Sequence, residues 1–217
     1  FTDAKSESLS TDEAILTRLK GGIDLLNETY SEGDYKPFFV FHRKRLFNKS
    51  ENCFMAWERK RGKLEEFNRL ILGDANTSYY VITLDEDTLL PNGSAKRLIG
   101  AMAHPLNRAV FDEKTGQLIK GYSIIQPRLQ VWPIEANYSL FTQVYSGDLS
   151  LDLYTLAVSD VYQDLFREGS FVGKGIYDVV AFEKSLENKI PENRLLSHDL
   201  FEGIQGRCAL ASDIVLY

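Results

Sequence analysis

One uncharged stretch that ends in an acidic cluster constrains the fold more than any other part of the sequence. Residues 79–84 (Tyr-Tyr-Val-Ile-Thr-Leu) carry no charge, and Asp85-Glu86-Asp87 follows directly. Such a run predicts a strand that is buried on both faces, as parallel strands are in α/β proteins. Ligands of open α/β sheets bind at the carboxyl ends of the strands. Asp85 and Asp87 are therefore candidate binding residues.

The two carboxylates predict a site for a divalent cation. On alternate residues of an extended turn they would lie roughly 5–7 Å apart and repel each other. A hard cation such as Mg²⁺ or Mn²⁺ turns that repulsion into attraction. The alternative is that Asp85 and Asp87 cap the next helix or face water. An EF-hand calcium loop that starts at Asp85 is excluded, because Leu90 stands at the turn glycine and Lys96 at the closing glutamate.

Strand and helix patterns alternate along the chain, which predicts a mostly parallel sheet with helices on both faces. Neither a repeat nor a linker interrupts the 217 residues, so we expect a single domain over 1–217. Residues 1–3 have the character of the end of a strand, so we expect the first strand of the sheet to be missing. Strands are predicted at 37–41, 110–119 (a hairpin), 122–128, 170–175 and 214–216, and helices at 10–33, 64–73, 93–103, 135–166 (two), 179–186 and 197–202.

Charge and cysteine content exclude several classes of protein. The net charge of −6 argues against a nucleic-acid-binding surface as the main function. Cys53 and Cys208 form no CxxC motif, which favours reduced thiols over a disulfide framework or a zinc site. No apolar segment approaches the ~18–20 residues that span a bilayer, so we expect this piece of chain to be soluble.

Known sequence motifs exclude some classes of enzyme and leave others open. Residues 169–175 do not form a P-loop, and neither GxGxxG nor GxSxG is present. A strand followed by Asp-x-Asp also resembles magnesium-dependent phosphatases of the haloacid-dehalogenase type, in which the first Asp is the nucleophile. That class has Thr or Val where this chain has Leu89. The basic stretch 57–63 at a helix start predicts a phosphate site, or else a solvated face.

Five blocks of the sequence are long enough to compare with known families: 57–68 (WERKRGKLEEFN), 80–88 (YVITLDEDT), 102–108 (MAHPLNR), 157–179 and 191–200. Together they resemble the glycosyltransferase region of cyclic β-1,2-glucan synthases. The resemblance implies a GT-A fold of the cellulose-synthase-like group and inverting transfer of glucose from UDP-glucose to a growing β-1,2-glucan, with Mg²⁺ or Mn²⁺ as cofactor. A degenerate GT-A module that only binds remains the non-catalytic alternative.

The resemblance also implies residues for the donor. Asp87 would ligate the metal that bridges the nucleotide diphosphate, and Asp85 would contact the metal or the ribose. Asp3 would contact the nucleotide. Lys63 and Asn68 would lie near the uridine and phosphates.

On the acceptor side, the resemblance implies that Asp199 is the catalytic base. A helix N-cap is the alternative role for Asp199. Gly173 and Gly175 would let the acceptor approach the backbone, although a simple tight turn would use them as well. His198 is assigned to the same acceptor loop as a packing or hydrogen-bonding neighbour.

The same resemblance implies a larger setting. The parent protein would carry membrane segments and a carbohydrate-phosphorylase domain, and would place this domain at the cytoplasmic face of the bacterial inner membrane. The expected partners are UDP-glucose and a glucan acceptor, with no nucleic acid.

Overall fold

The computed structural model describes residues 2–56, 59–73, 79–130, 132, 139–140, 161–190 and 198–217. The chain divides into two compact units, Phe1–Arg69 and Leu70–Tyr217, which are described separately. The predicted single domain over 1–217 stays a prediction. The described elements are α1 (Asp12–Tyr30), β1 (Leu46–Asn48), β2 (Cys53–Met55), α2 (Arg59–Leu72), β3 (Tyr80–Thr83), α3 (Ser94–Met102), a 3₁₀ turn (Pro105–Asn107), β4 (Val110–Phe111), β5 (Leu118–Lys120), β6 (Ile124–Leu129), α4 (Val161–Phe166), β7 (Gly175–Asp178), α5 (Val179–Leu186), α6 (Asp199–Gly206) and β8 (Cys208–Leu216).

The first unit is organised around one buried arginine. The Arg45 side chain is 2% exposed and forms an ion pair with Asp12 at 2.5 Å. Its Nε donates to the Thr2 carbonyl at 2.6 Å, and its Nη1 donates to the Glu7 carbonyl at 3.3 Å. The arginine therefore ties the chain start to α1. Its hydrogen bonds to Asp12 and that of the Leu9 amide lower the pKa of the Asp12 carboxyl.

The prediction of a strand at 37–41 is wrong, because this segment has no regular secondary structure. Its backbone bonds to a side chain instead of a neighbouring strand. The buried Asn27 donates to the Phe38 carbonyl at 2.9 Å and accepts from the Phe38 amide at 3.0 Å. One asparagine thus satisfies both backbone groups that a sheet would otherwise pair.

A four-stranded sheet forms the centre of the second unit, in the order β3-β7-β6-β8. β7 is antiparallel to both β3 and β6, whereas β6 and β8 are parallel. The α/β class is therefore confirmed, but the predicted mostly parallel sheet is wrong for the described strands. Two of their three pairings are antiparallel.

The strand that precedes the acidic cluster is less buried than predicted. β3 lies at the end of the described strand order, with β7 as its neighbour. Tyr80 is 38% exposed, so β3 is not buried on both faces. Ile82 packs on the cluster of one face and Val81 on that of the other, so the uncharged run contacts both clusters without being fully buried.

Alternate side chains of the sheet pack on opposite faces, as strand geometry requires. On one face, Ile125 and Ile176 pack with Leu98 of α3. On the other, Ile124 and Tyr177 pack with Phe182 of α5. Helices therefore cover both faces, which is the layering that the alternating pattern predicts.

Several local predictions are confirmed and one is shifted. The hairpin at 110–119 and the helices at 93–103 and 179–186 are present. The strand predicted at 170–175 instead begins at Gly175. Of the two helices predicted within 135–166, the end of the second is confirmed as α4, and apart from residues 139–140 the rest lies outside the described residues. In the part of the chain that the structure describes, none of the helices has the length and apolar character needed to cross a membrane.

Candidate functional site

The register of β3 and β7 places a lysine beside the first carboxylate of the acidic cluster. Thr83, the last residue of β3, pairs with Gly175, the first residue of β7. Because the strands are antiparallel, the residues that follow β3 face those that precede β7. The Lys174 Nζ atom lies 2.6 Å from Asp85 Oδ2, and the two side chains are 22% and 35% exposed.

The backbone on either side of this lysine is fixed by close packing. The buried Thr83 hydroxyl lies 3.2 Å from the Gly173 carbonyl and 3.4 Å from the Gly175 carbonyl, and donates toward both. A Cβ atom at Gly175 would lie 2.5 Å from the Ile125 carbonyl oxygen. Only glycine fits there, so the sheet itself accounts for Gly175. Lys174 is therefore presented from a well-defined position.

Asp199 reaches the same segment from a different element. It is the first residue of α6, and the N-cap position before it is occupied by His198, so the alternative role of Asp199 as N-cap is wrong. A Cβ atom at Gly173 would lie 2.9 Å from Asp199 Oδ2. The Asp199 carboxylate thus packs directly on the Cα atom of Gly173. The positive φ of 80° at Gly173 is a second reason for glycine at this position.

The structure therefore brings together four of the predicted or newly found residues. Asp85 contacts Lys174, Asp199 contacts Gly173, and residues 173 and 174 are adjacent in the chain. Two carboxylates consequently flank one short segment that carries a cation. His198 precedes Asp199 and is partly buried.

The second carboxylate of the cluster is more open. Asp87 is exposed and lies in the turn after β3, where the Thr88 amide donates to the Asp85 carbonyl at 3.1 Å. Beyond the turn, the Leu89 amide donates to the Tyr217 carbonyl at 2.5 Å, and the Leu89 carbonyl accepts from the Tyr217 amide at 3.1 Å. The far end of the acidic turn is thereby attached to the end of the chain.

The acidic cluster fits a metal that receives most of its ligands from elsewhere. Among the described residues, no three carboxylate, imidazole or thiol side chains are close enough to hold a metal ion together. Mg²⁺ is usually bound by one or two carboxylates together with substrate phosphates and water. Asp85 and Asp87 match that donor set, whereas a closed all-protein site does not.

The remaining predicted donor residues belong to the first unit. Asp3 is exposed and precedes Ala4, which bridges to Phe54. Lys63 is exposed on α2, and Asn68 on the same helix is fully buried, with 0% exposure. Their contact with a nucleotide stays a prediction.

The basic stretch predicted to open a helix lies partly inside it. Arg61 in α2 forms an ion pair with Glu65 at 3.1 Å, one helical turn away. Arg69 approaches the same carboxylate from the other side. Part of the positive charge is therefore balanced within the helix, and the Arg61 side chain is only 16% exposed, so it does not lie on a solvated face.

Two residues of this site were not among the sequence-based candidates. Lys174 and Thr83 enter it only through the pairing of β3 with β7, which no local pattern specifies. The available signal was the triplet Gly173-Lys174-Gly175, which places a long cation between two residues without side chains.

Comparison with known proteins gives one informative match. No protein-family profile matches the chain. It is 42% identical over 229 aligned residues to the cyclic beta-(1,2)-glucan synthase NdvB of Rhizobium meliloti (strain 1021), and the alignment covers 100% of this chain. The chain spans about 8% of the length of that curated relative.

Proposed function

Because the chain is related over its whole length to a region of a cyclic β-(1,2)-glucan synthase, we propose that it is the glucosyltransferase region of such an enzyme. It transfers glucose from UDP-glucose to a growing β-1,2-glucan with inversion at the anomeric carbon. The fold is of the GT-A type, and the cofactor is Mg²⁺ or Mn²⁺. The resemblance noted in the sequence and the 42% identity to the synthase support this assignment.

The observation that carries the proposal is the meeting of separate chain segments at residues 173–174. Asp85 comes from the end of β3, Asp199 from the start of α6, and both pack on this segment. A glycosyl transfer needs one group that holds the donor and another that activates the acceptor on the same reacting atoms. Two carboxylates that flank one fixed segment supply both.

Asp199 acts as the general base. A sugar hydroxyl is a weak nucleophile, so the carboxylate takes its proton as the oxygen attacks the anomeric carbon. The new C–O bond forms while the bond to the diphosphate breaks, and UDP leaves with the electron pair. Attack opposite the leaving group converts the α-linked donor into a β-linked product.

Asp85 and Asp87 bind the donor end. These carboxylates would hold the divalent cation, which neutralises the charge of the diphosphate when it is bound. Asp3, Lys63 and Asn68 are assigned to the nucleotide.

Residues 173–175 and His198 form the loop that the acceptor approaches. Because Gly173 has no Cβ atom, its backbone packs against the Asp199 carboxylate. The acceptor hydroxyl would approach that carboxylate.

Calorimetry with UDP tests the donor site. UDP is expected to bind in the presence of Mn²⁺, and Asp87→Asn is expected to abolish the metal-dependent part of the affinity. Asp199→Asn should keep UDP binding but lose roughly 10²–10⁴-fold in glucose transfer, as removal of a general base does. An Asp87→Asn variant with unchanged metal-dependent affinity would contradict the assignment.

Two further assays distinguish the proposed function from the phosphatase and binding-module alternatives. A phosphatase of the haloacid-dehalogenase type would release phosphate from p-nitrophenyl phosphate in the presence of Mg²⁺, and we expect no release. A degenerate binding module would bind UDP without transferring glucose in the full-length parent protein. The proposed setting is the cytoplasmic face of the bacterial inner membrane, with membrane segments and a carbohydrate-phosphorylase domain on the parent chain.

A further inference from the structure

Lys174 is a cation that the structure places in contact with the acidic cluster. Its ammonium lies 2.6 Å from Asp85 Oδ2, and the lysine side chain is 22% exposed. A partly exposed ion pair of this kind contributes little to stability by itself. The surrounding packing is nevertheless strict, since the glycine on each side of Lys174 has no room for a Cβ atom.

The contact is incompatible with a metal on the same oxygen. A divalent cation that binds Asp85 Oδ2 would lie close to the ammonium, and two cations at such a distance repel strongly. The backbone of residue 174 is held by Thr83 and by the neighbouring glycines. The side chain therefore has to turn about its own four-carbon stem, which keeps the ammonium near the acidic cluster.

We propose that Lys174 neutralises Asp85 in the absence of the donor and binds the diphosphate of the donor once a divalent cation takes over that carboxylate. This inference rests on the proposed function. The diphosphate is the anion that the donor brings to this position, and a lysine ammonium binds phosphate oxygens as a point charge. As UDP departs, the ammonium stabilises the negative charge that develops on the leaving oxygen.

Calorimetry on the full chain with three probes tests the exchange: Mn²⁺ alone, UDP with Mn²⁺, and uridine. In Lys174→Gln, the affinity for UDP with Mn²⁺ should fall roughly tenfold to a hundredfold, as for loss of a charged hydrogen bond. The affinity for uridine should be unchanged, because uridine has no phosphate. The affinity for Mn²⁺ alone should rise about threefold or more, because the competing ammonium is gone.

Three further variants test whether a structural change, rather than the lost charge, lowers the UDP affinity of Lys174→Gln. Lys114→Gln removes an exposed lysine from the β4–β5 turn and should leave all three affinities unchanged. Lys174→Arg keeps the charge and should restore most of the UDP affinity. Lys174→Met keeps the aliphatic stem and replaces the Gln variant if thermal unfolding shows that the latter does not fold.

The outcomes separate this inference from the proposed function. If the unmodified chain binds no UDP with Mn²⁺, the proposed donor is wrong and the role of Lys174 is wrong with it. If the unmodified chain binds UDP but Lys174→Gln binds it equally well, only the role of Lys174 is overturned. Parallel loss of uridine affinity would also overturn it, because a general distortion of the site would then explain the result.

Discussion

Replacing Gly173 with alanine should separate the position of the Asp199 carboxylate from the stability of the fold. The added Cβ atom would lie 2.9 Å from Asp199 Oδ2, where ordinary contacts begin at 3.4 Å. The carboxylate would therefore have to move by about 0.5 Å. Because a 1 Å misplacement in an active site can cost roughly 10²-fold in rate, we expect kcat to fall by about tenfold.

The positive φ at Gly173 adds a cost that has nothing to do with catalysis. An L-residue in the left-handed region costs about 1–2 kcal/mol, and this cost appears in the free energy of unfolding. Gly116 provides the matched control, because its φ is +66° and a Cβ atom added there would meet no other atom within 4 Å. Gly116→Ala should therefore lose similar stability and keep its kcat.

The assay is release of UDP from UDP-glucose by the full-length parent protein, alongside urea unfolding of the chain itself. We expect both alanine variants to unfold at lower urea concentration and only Gly173→Ala to lose kcat. UDP affinity should stay constant in both. If the two variants show the same kcat, the position of the Asp199 carboxylate over Gly173 does not matter for the reaction, and its assignment as base fails.

Two further predictions concern the fold. The lowered pKa of Asp12 means that its ion pair with Arg45 stabilises the first unit above the unfolded-state pKa of about 3.9, and that this contribution disappears as the pH falls through the lower folded-state pKa. In urea unfolding, Asp12→Asn should be less stable than the unmodified chain near pH 6, the two should converge at acidic pH, and an unvarying difference would contradict the pairing. Burial raises the pKa of the Cys208 thiol, whereas Cys53 is only partly buried. Titration with Ellman's reagent should therefore detect one thiol in the native chain and two after unfolding, and rapid reaction of both in the native chain would contradict the burial of β8.

Local features of the fold were predictable because short-range chemistry determines them. The helix at 179–186 follows Asp178, whose carboxylate accepts from the Ala181 amide at 2.9 Å and caps the helix. The hairpin at 110–119 follows from its turn residues, since the Asp112 carboxylate accepts from the Thr115 amide at 2.7 Å. In both cases the determining contact spans three residues.

Pairing between distant segments was not predictable from the same patterns. The run at 79–84 indicates a strand but contains no information on its neighbour or direction, so the antiparallel pairing with β7 and the position of β3 at the end of the described strand order were missed. The contact of Lys174 with Asp85 depends on that pairing. Likewise, the bonds of Asn27 to Phe38 replaced a predicted strand, because a side chain eleven positions away competed with the sheet.

In the candidate site, too, some residues were predictable from the sequence and one was not. Asp85, Asp87 and Asp199 were chosen as candidates from residue type and resemblance. In the structure, Asp85 and Asp199 both contact the segment of residues 173–174. The lysine between them was missed. Its relevance depends on which residues lie across from it, and that is a property of the folded sheet.

The fixed backbone of residues 169–175 has a consequence for how related chains can vary in length. The Gly169 amide donates to the Cys208 carbonyl at 2.6 Å, and the Val172 amide donates to Gln126 Oε1 at 3.0 Å. Together with the hydroxyl of Thr83, these bonds anchor the segment at both ends and in the middle, so one inserted residue would misalign every anchor beyond it. The hydrogen bonds of the exposed β4–β5 turn, by contrast, run within the turn itself, through Asp112, so added residues there would misalign no anchor in the sheet. Insertions and deletions among relatives should therefore accumulate in that turn and be absent between residues 169 and 175.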